Sequence, residues 1–269
     1  MTELEKAKTF WRKAVEQMDG ADTEDLKICR RVLGGQKELE EEGPITIVIV
    51  GDSVSHGCFV PPKNHDYRAV YHDRLRLMIN ERFPYTPVNI INAAVGGVTA
   101  PYGLSIMDKY VLPHNPDLVI VCFGLNDVNE PIPVFTDAMR GIFNKCKAAG
   151  VDVMYLTSNM LNTYRTEDTE PKYYEYAAKT ADMQNSGMLD ALTDAGRALA
   201  KECGVPVADA YAVWRGMADA GIDTSSLLIN RINHPEREMH ALFAEVLYKR
   251  IFGEAPILGE DADAGMYRA

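Results

Sequence analysis

The chain has 269 residues and a formal net charge of −11 at pH 7, with 39 acidic side chains against 28 basic ones. This length can bury one sizeable core, so we expect a single domain with modest terminal additions. The negative charge disfavours binding to nucleic acids and to anionic lipid. No apolar run approaches the roughly 20 residues that cross a bilayer, so we expect no membrane partner either.

The segment before the first predicted strand, residues 1–42, is rich in charge and predicts one or two helices with a break near Gly34 and Gly35. It lacks the apolar stretch of a secretory signal, so we expect a cytoplasmic location unless a leader has been removed. The five cysteines are scattered and never spaced as CxxC. We expect them to be buried or idle thiols, and only Cys58 lies near a motif.

Short β-branched apolar runs alternate with amphipathic segments from residue 45 onward, a pattern typical of parallel strands joined by helices. The predicted strands are 45–50, 88–92, 118–122, 151–156 and 205–208. The predicted helices are 66–82, 101–110, 134–149, 186–203 and 235–252. We therefore predict an α/β fold, a three-layer α/β/α sandwich with a mostly parallel five-stranded sheet. A helical extension over 1–42, a main domain over 43–253 and a tail over 254–269 complete this division.

Two stretches leave alternatives open. Residues 159–185 follow the fourth predicted strand and are rich in tyrosine, so they form either a substrate-facing lid or a helical excursion. The acidic tail after residue 253 either frays or contacts a partner.

The first motif, Gly51-Asp52-Ser53-Val54-Ser55-His56-Gly57, follows the first predicted strand directly. In open parallel sheets, ligands collect beyond the carboxyl ends of the strands. Glycines on both sides let the backbone turn sharply and expose the Ser53 hydroxyl. The same residue types also form plain turns, so this motif alone does not establish a site.

Two further motifs follow predicted strands. Asn92-Ala93-Ala94-Val95-Gly96-Gly97 offers a bare glycine amide, which either approaches a ligand closely or serves only as a hinge. Gly124-Leu125-Asn126-Asp127 places an amide side chain at Asn126. That amide can donate to a developing oxyanion, or it can form an Asx turn or helix cap.

The fourth motif, Asn230-Arg231-Ile232-Asn233-His234-Pro235-Glu236, lies near the C-terminus. Pro235 suits the first position of a helix, and Asn233 with Glu236 suits a capping box. We therefore expect His234 at the entrance of a helix. An isolated histidine is more often structural than catalytic, but this one completes an ordered set of four motifs.

This ordered set resembles the SGNH hydrolase family, also called the GDSL esterases and lipases, over about residues 45–252. Ser53 with Gly57 matches the first family block, and Gly97 matches the second. Gly124-x-Asn126-Asp127 and His234-Pro235 match the third and the last.

The resemblance implies a serine esterase that removes small acyl groups from a carbohydrate or a small metabolite. Ser53 would be the nucleophile and His234 its general base, with activity falling below the ordinary histidine pKa of about 6.5. The N–H groups of Ser53 and Gly97 and the side-chain amide of Asn126 would form the oxyanion hole. No cofactor or metal is implied, and no histidine pair has the spacing of metal ligands on a helix.

One position departs from the family pattern, because Arg231 stands three residues before His234 where an aspartate is usual. That acid normally orients the imidazole. We predict that a backbone carbonyl near Asn230 or the side chain of Asn233 accepts from His234 instead, and a carboxylate remote in sequence is a further candidate. Arg231 itself either pairs with a carboxylate or contacts substrate.

The remaining polar residues near the motifs have supporting or packing roles in this hypothesis. We expect Asp52 and Asp127 to brace their loops, and His56 and Cys58 either to line the pocket or to pack. Two other functions stay open: a non-catalytic carbohydrate-binding module, motivated by Arg231, and a thioesterase or lysophospholipase. A homo-oligomer is compatible with the sequence.

Overall fold

The structure is a computed structural model that describes residues 1–18, 26–60, 64–254 and 256. Its strands are β1 (Ile45–Gly51), β2 (Cys58–Val60), β3 (Asn64–His65), β4 (Val88–Asn92), β5 (Leu118–Cys122), β6 (Asp152–Leu156) and β7 (Val207–Ala208). Five of them form the main sheet in the order β4-β1-β5-β6-β7, and every neighbouring pair is parallel. Strands β2 and β3 form a separate antiparallel hairpin.

The central strands are buried on both faces. All residues of β5 are buried, as are all but one of β1. Strands covered on both sides need apolar side chains at consecutive positions, which is why both segments are continuous runs of valine and isoleucine with few polar residues.

Helices cover the two faces of the sheet. They are α1 (Glu3–Gln17), α2 (Lys27–Glu42), α3 (Ser53–His56), α4 (Tyr71–Arg82), α5 (Ala100–Ile106), α6 (Ile132–Ala148), α7 (Tyr174–Asn185), α8 (Met188–Glu202), α9 (Ala210–Asp219) and α10 (His240–Phe252). Helices α1, α2, α4, α9 and α10 pack together, and α5 to α8 form the other layer. The predicted α/β/α sandwich with a five-stranded sheet is therefore confirmed.

Some predicted helix boundaries are wrong. Helix α4 begins at Tyr71 and not at residue 66, because the Asp66 carboxylate accepts from the N–H groups of Arg68 and Ala69 and holds a turn there. Helix α9 and the β2–β3 hairpin were not predicted. The helix predicted over 101–110 changes at residue 107 into a π-helix, Met107–Val111.

The N-terminal segment contributes to the core. A capping box between Thr2 and Glu5 starts α1, and Trp11 on that helix is fully buried. The indole N–H of Trp11 donates to the Glu245 carboxylate of α10 at 3.1 Å. Helix α2 is kinked at Gly35, whose φ is 60°, where the sequence predicts a break. Apart from residues 254 and 256, the predicted tail lies outside the described residues.

The strand order determines where the motifs meet. Counted along the chain within the main sheet, the order is 2-1-3-4-5, so the direction of winding reverses between β1 and β5. Loops diverge at such a switch point and leave a crevice beyond the carboxyl ends of the strands. The motifs that follow β1, β4 and β5 all lie at this edge.

Candidate active site

A single helical turn holds Ser53 at the end of β1. Helix α3 starts at Ser53, and the Asp52 carboxylate caps it by accepting from the N–H of Val54 at 3.0 Å. Gly57 ends the turn in a left-handed conformation with φ of 88°, which glycine adopts without steric cost. Ser53 is 9% exposed, so its hydroxyl lies at the border between core and cavity.

The Ser53 hydroxyl lies in hydrogen-bond contact with His234. The distance from Ser53 Oγ to His234 Nε2 is 2.7 Å, although the two residues are 181 positions apart. The other ring nitrogen, Nδ1, lies 3.1 Å from the backbone carbonyl oxygen of Phe59 in β2. A carbonyl only accepts, so Nδ1 carries the proton and Nε2 is left to accept from the serine.

The acceptor for His234 is therefore of the predicted kind but in another place. The prediction of a carbonyl near Asn230 or the side chain of Asn233 is wrong, because the carbonyl belongs to Phe59. Asn233 Oδ1 instead accepts from Asn230 Nδ2 at 2.9 Å. The further candidate, a carboxylate remote in sequence, is not the partner either, because the Phe59 carbonyl lies against His234 Nδ1.

The turn that carries His234 is held by a single side chain. Asn230 Oδ1 accepts from the N–H groups of Ile232, Asn233 and His234, at 3.1, 3.0 and 2.9 Å. Because Asn230 accepts from these three N–H groups, they are satisfied in a turn without a helix starting here. Helix α10 begins at His240, and Pro235 forms an isolated bridge with Leu228. The predicted helix entrance and capping box at His234 are wrong.

Arg231 fixes the same turn from outside. Its φ is 58°, in the left-handed region that few side chains adopt. Its guanidinium donates to Asp168 at 2.9 Å and to the carbonyls of Ser226 and Leu228 at 2.5 and 3.0 Å. The alternative in which Arg231 pairs with a carboxylate is thus the one observed, and the pair joins the 159–185 stretch to the His234 turn.

Burial sets the protonation state of the imidazole. His234 is 3% exposed, and burial lowers its pKa to about 4, opposed in part by the Phe59 carbonyl, which raises it. The ring is therefore neutral, and able to accept a proton, well below the ordinary histidine pKa.

Donor groups of the other two motifs line the same cavity. Gly97 has φ of 79°, a conformation that favours glycine. Asn126 Nδ2 donates to the carbonyl of Val98 at 2.9 Å, which fixes the plane of the amide. A primary amide has two N–H bonds, so one remains to serve a ligand. Ser53, Gly97 and Asn126 all face the cavity.

The two buried aspartates brace the loops around the site. Asp127 accepts from the N–H of Ala100 at 2.8 Å and from that of Gly124 at 3.0 Å. Burial raises the pKa of Asp52 to about 7, opposed by its bond from Val54, and raises that of Asp127 to about 6. Asp127 thus connects the loops after β4 and β5, and Asp52 caps the turn after β1.

The cavity above Ser53 has a volume of about 640 Å³. Its walls combine charged, polar and apolar groups: Ser53, His56, Cys58, Val60, His65, Val95, Gly96, Gly97, Asn126, Asp168, Glu170, Tyr173, Tyr176, Ile229, Asn230, Arg231, Ile232, Asn233 and His234. The 159–185 stretch both contains α7 and lines this cavity through Asp168 and Tyr176, so the two alternatives for it are not exclusive.

His56 and Cys58 both face the cavity. The His56 ring lies 4.9 Å from that of His65, between ring centres, and burial, followed by His65, lowers the pKa of His56. His56 Nδ1 is buried without a hydrogen-bond partner among the described residues. Burial raises the pKa of Cys58, so it stays a neutral thiol.

Two contributors to the site were missed from the sequence. The Phe59 carbonyl carries no side-chain signal, and the hairpin that positions it is only a few residues long. Asn92 donates to the carbonyl of Ser55 at 3.1 Å and accepts from the N–H of Ala94 at 3.0 Å. It thus ties the second motif to the turn of the first, and its place at a strand end beside Gly97 was the available signal.

Across the described ranges, no cluster of three or more His, Cys, Asp or Glu side chains has the arrangement of a metal site. No helix in the same part of the chain combines the length and apolarity needed to span a membrane.

Comparisons with known proteins identify the family and the fold. The model of the GDSL-like lipase/acylhydrolase family matches residues 49–242. An arylesterase of Vibrio mimicus is 23% identical over 145 residues, which cover 53% of this chain and 68% of that protein.

Solved structures share the fold. An acetylxylan esterase from Geobacillus stearothermophilus superposes with a TM-score of 0.60 at 16% identity, covering 77% of this chain and 94% of that one. A lipase/acylhydrolase from Enterococcus faecalis gives a TM-score of 0.58 at 19% identity, covering 78% and 96%. The family match spans all four motifs, and the chain belongs to the GDSL-like lipase/acylhydrolase family of carboxylic ester hydrolases.

Proposed function

We propose that this protein hydrolyses short acyl esters of a carbohydrate or small metabolite through an acyl-enzyme at Ser53. The observation that carries the proposal is the 2.7 Å contact between Ser53 Oγ and a His234 ring whose other nitrogen faces a carbonyl. That arrangement leaves a neutral base against the hydroxyl, which is the requirement for activating a serine.

In the acylation half-reaction, His234 Nε2 takes the proton as Ser53 Oγ attacks the ester carbonyl carbon. The resulting oxyanion accepts hydrogen bonds from the N–H groups of Ser53 and Gly97 and from the Asn126 amide. When the tetrahedral species collapses, the bond to the alcohol oxygen breaks and His234 returns its proton to that oxygen. Ser53 then carries the acyl group.

In the deacylation half-reaction, a water molecule replaces the alcohol. His234 takes a proton from the water as its oxygen attacks the acyl carbon, and the same donors hold the second oxyanion. Collapse breaks the bond to Ser53 Oγ, His234 returns the proton to that oxygen, and the carboxylic acid leaves. The cycle is complete with the chain's own groups.

The Phe59 carbonyl does part of the work of the usual acid. It selects the tautomer with the proton on Nδ1, which is the state that a base at Nε2 requires. A neutral carbonyl stabilises the imidazolium less than a carboxylate does. The orienting role thus falls to a main-chain group, and Arg231 holds the turn.

The cavity supports a polar alcohol portion for the substrate. A volume of about 640 Å³ exceeds the need of an acetyl group and lies in the range of drug-sized ligands. Charged side chains at Asp168, Glu170 and Arg231 can serve a polar alcohol portion, while apolar side chains such as Val60, Val95 and Ile229 also line the cavity. The fold neighbour named as an acetylxylan esterase acts on a carbohydrate ester, in keeping with this class.

A non-catalytic binding module is the less favoured function. Arg231 motivated it, but the guanidinium is held by Asp168 and two backbone carbonyls, and the Ser53–His234 contact is intact beside it. A thioesterase or lysophospholipase stays an alternative, because apolar side chains such as Val60, Val95 and Ile229 also line the cavity, and the palmitate ester below tests it.

The test compares nitrophenyl acetate with nitrophenyl palmitate as substrates of the wild type, Ser53→Ala and Ser186→Ala. We expect turnover of the acetate ester to vanish in Ser53→Ala and to persist in Ser186→Ala, whose serine is exposed on the surface. Retained turnover in Ser53→Ala would refute the mechanism, and faster hydrolysis of the palmitate ester would refute the short-acyl assignment.

A further inference from the structure

A second cavity of about 430 Å³ lies beside the first, at the free edge of the main sheet. It is lined by the carboxyl end of β4 and by one side of the segment that follows it: Ile91, Asn92, Ala93, Ala94, Val95, Tyr102, Ile106, Tyr110 and His114. Among these residues, Asn92 supports the candidate active site by tying the second motif to the turn that carries Ser53, and the other side chains have no role in the proposed mechanism.

The two cavities adjoin at Val95. This residue lines both of them and is 37% exposed. Its N–H donates to the carbonyl of Gly51 at 3.1 Å, so its position is fixed relative to the turn that carries Ser53. A substrate with its ester carbonyl at Ser53 can therefore extend over Val95 into the second cavity.

One wall of the second cavity is formed by four side chains, three of them aromatic: Tyr102, Ile106, Tyr110 and His114. Its members are four residues apart, along α5, the π-helix Met107–Val111 and the 3₁₀ turn Leu112–His114. The wider π-turn lets this spacing stay on one side of the segment. Tyr102 and Tyr110 remain 37% and 48% exposed, so both rings keep surface for a ligand, although the Lys109 ammonium lies 4.7 Å from the centre of the Tyr110 ring.

The lining determines the class of ligand. None of the nine residues is Asp, Glu, Lys or Arg, which favours a neutral ligand over a phosphate or a charged peptide. Two phenol hydroxyls and an imidazole supply hydrogen-bonding groups next to aromatic faces. A sugar ring has the matching surface, since its C–H face packs on an aromatic ring while its hydroxyls form hydrogen bonds. An acyl chain would leave the polar groups desolvated without partners.

We propose that the second cavity is a sugar-binding subsite, which holds the neighbouring residue of an oligosaccharide whose acyl group is cleaved at Ser53. This inference rests on the proposed function, because it names the class of alcohol that the same site serves. It makes the enzyme selective for acylated oligosaccharides over acylated monosaccharides.

Kinetics of the double variant Tyr102→Ala/Tyr110→Ala test the subsite. We expect kcat/KM for an acetylated xylotriose to fall about tenfold or more, mainly through KM, because each ring supplies contact area to the sugar. We expect kcat/KM for nitrophenyl acetate to change less than about twofold. Tyr85→Ala is the matched control, since Tyr85 is 89% exposed and lies outside both cavities. Equal activity of the double variant and the control on the oligosaccharide would overturn the subsite.

A binding measurement separates this inference from the proposed function. Unacetylated xylotriose is titrated into Ser53→Ala with and without the tyrosine substitutions, followed by calorimetry. We expect binding that the substitutions weaken about tenfold. The subsite is overturned if xylotriose does not bind, or if the tyrosine substitutions leave its affinity unchanged. This holds even if hydrolysis of nitrophenyl acetate depends on Ser53. If hydrolysis of nitrophenyl acetate does not depend on Ser53, the proposed function is overturned. The titration with xylotriose then still tests the subsite. If the double variant selectively loses activity on esters of longer acyl chains, the second cavity is an acyl groove, and the sugar subsite is overturned as well.

Discussion

The contact of His234 with the Phe59 carbonyl has a direct consequence for how the enzyme titrates. A carboxylate partner would raise the histidine pKa through its charge, whereas a neutral carbonyl only partly offsets the effect of burial. Burial therefore dominates, and it lowers the pKa of His234 to about 4. The sequence predicts a decline in activity below about 6.5, and the buried position moves that decline to more acidic pH.

The pH profile of kcat/KM tests this shift. Since the base must be neutral, we expect kcat/KM for nitrophenyl acetate to stay level through pH 6.5 and to fall only as the pH approaches 4. A decline with its midpoint near 6.5 would show an exposed imidazole and contradict the geometry.

Acid unfolding has to be separated from this titration. His72 is also buried, with its pKa lowered to about 4, so the unfolded chain takes up protons between about pH 6.5 and 4 that the folded chain does not. That difference removes stability as the pH falls. Circular dichroism at each pH, with activity measured again after return to pH 7, distinguishes the two effects.

Substitution of Asn126 tests the oxyanion hole. We expect Asn126→Ala to lower kcat about 100-fold or more and to leave KM nearly unchanged, because the lost donor acts on charge that develops only in the transition state. Steady-state kinetics measure this, with Asn89→Ala as the control, since Asn89 is exposed on the edge strand. A raised KM at unchanged kcat would assign Asn126 to substrate binding instead.

Among the residues proposed for the site, those in the four motifs were predictable, including the N–H groups of Ser53 and Gly97, whereas the Phe59 carbonyl outside the motifs was not. Ser53, Asn126 and His234 lie in motifs, and the type of each side chain indicates its proposed role. The Phe59 carbonyl could come from any residue, so only the folded hairpin identifies it. The role of Asn230 was obscured by the helix expected to begin at residue 235.

Among the elements, the strands were predicted more accurately than the helices. Bounds for β4 and β5 agree with the apolar runs that predict them. Strand β5 is buried on both faces, which leaves an unbroken signal, and β4 keeps Val88, Ile90 and Ile91 although it lies at the edge of the sheet. The starts of α4 and α10 were harder to predict, since the side chains of Asp66 and Asn230 accept from backbone N–H groups in turns where helix starts were expected. Helix α9 is only ten residues long, so its amphipathic pattern is a weak signal in the sequence.

Close packing of α5 on the sheet gives a test at the element scale. A Cβ added at Gly103 would lie 2.5 Å from the ring of Phe123 and 3.2 Å from Val50. We therefore expect Gly103→Ala to lower the free energy of unfolding by about 1–3 kcal/mol, although alanine favours helices by about 1 kcal/mol over glycine. Urea denaturation measures this.

Ser105→Ala is the control for that substitution, because Ser105 is exposed on the same helix. We expect its stability to change by no more than about 0.5 kcal/mol. If Gly103→Ala proved more stable than the wild type, α5 would not lie as close to β1 and β5 as the structure has it.

For the whole molecule, the N-terminal segment is part of one hydrophobic core and not a separate layer. Trp11 is fully buried, and α1 packs against α9 and α10. We expect Trp11→Ala to lower the free energy of unfolding by about 3–5 kcal/mol, because it removes a large buried ring. Denaturation by urea provides the measurement, with Leu33→Ala as control, whose side chain is 69% exposed. Equal stability of the two variants would show that α1 does not pack as described.

The sequence predicts this segment as an extension, because its many charged residues make the buried apolar positions hard to recognise. Its contacts with α9 and α10 join positions more than 200 residues apart, and no local pattern reports such a contact. The motifs were easier to join, since parallel strands bring their carboxyl ends to one edge whatever the length of chain between them.

Covalent trapping of the nucleophile tests the central claim most directly. A serine-directed fluorophosphonate is added to the wild type and to His234→Ala, and the labelled peptide is identified by mass spectrometry. We expect a single label on Ser53 in the wild type, and labelling slowed by about 100-fold or more in His234→Ala. A label on another residue, or equally fast labelling of Ser53 in His234→Ala, would contradict it.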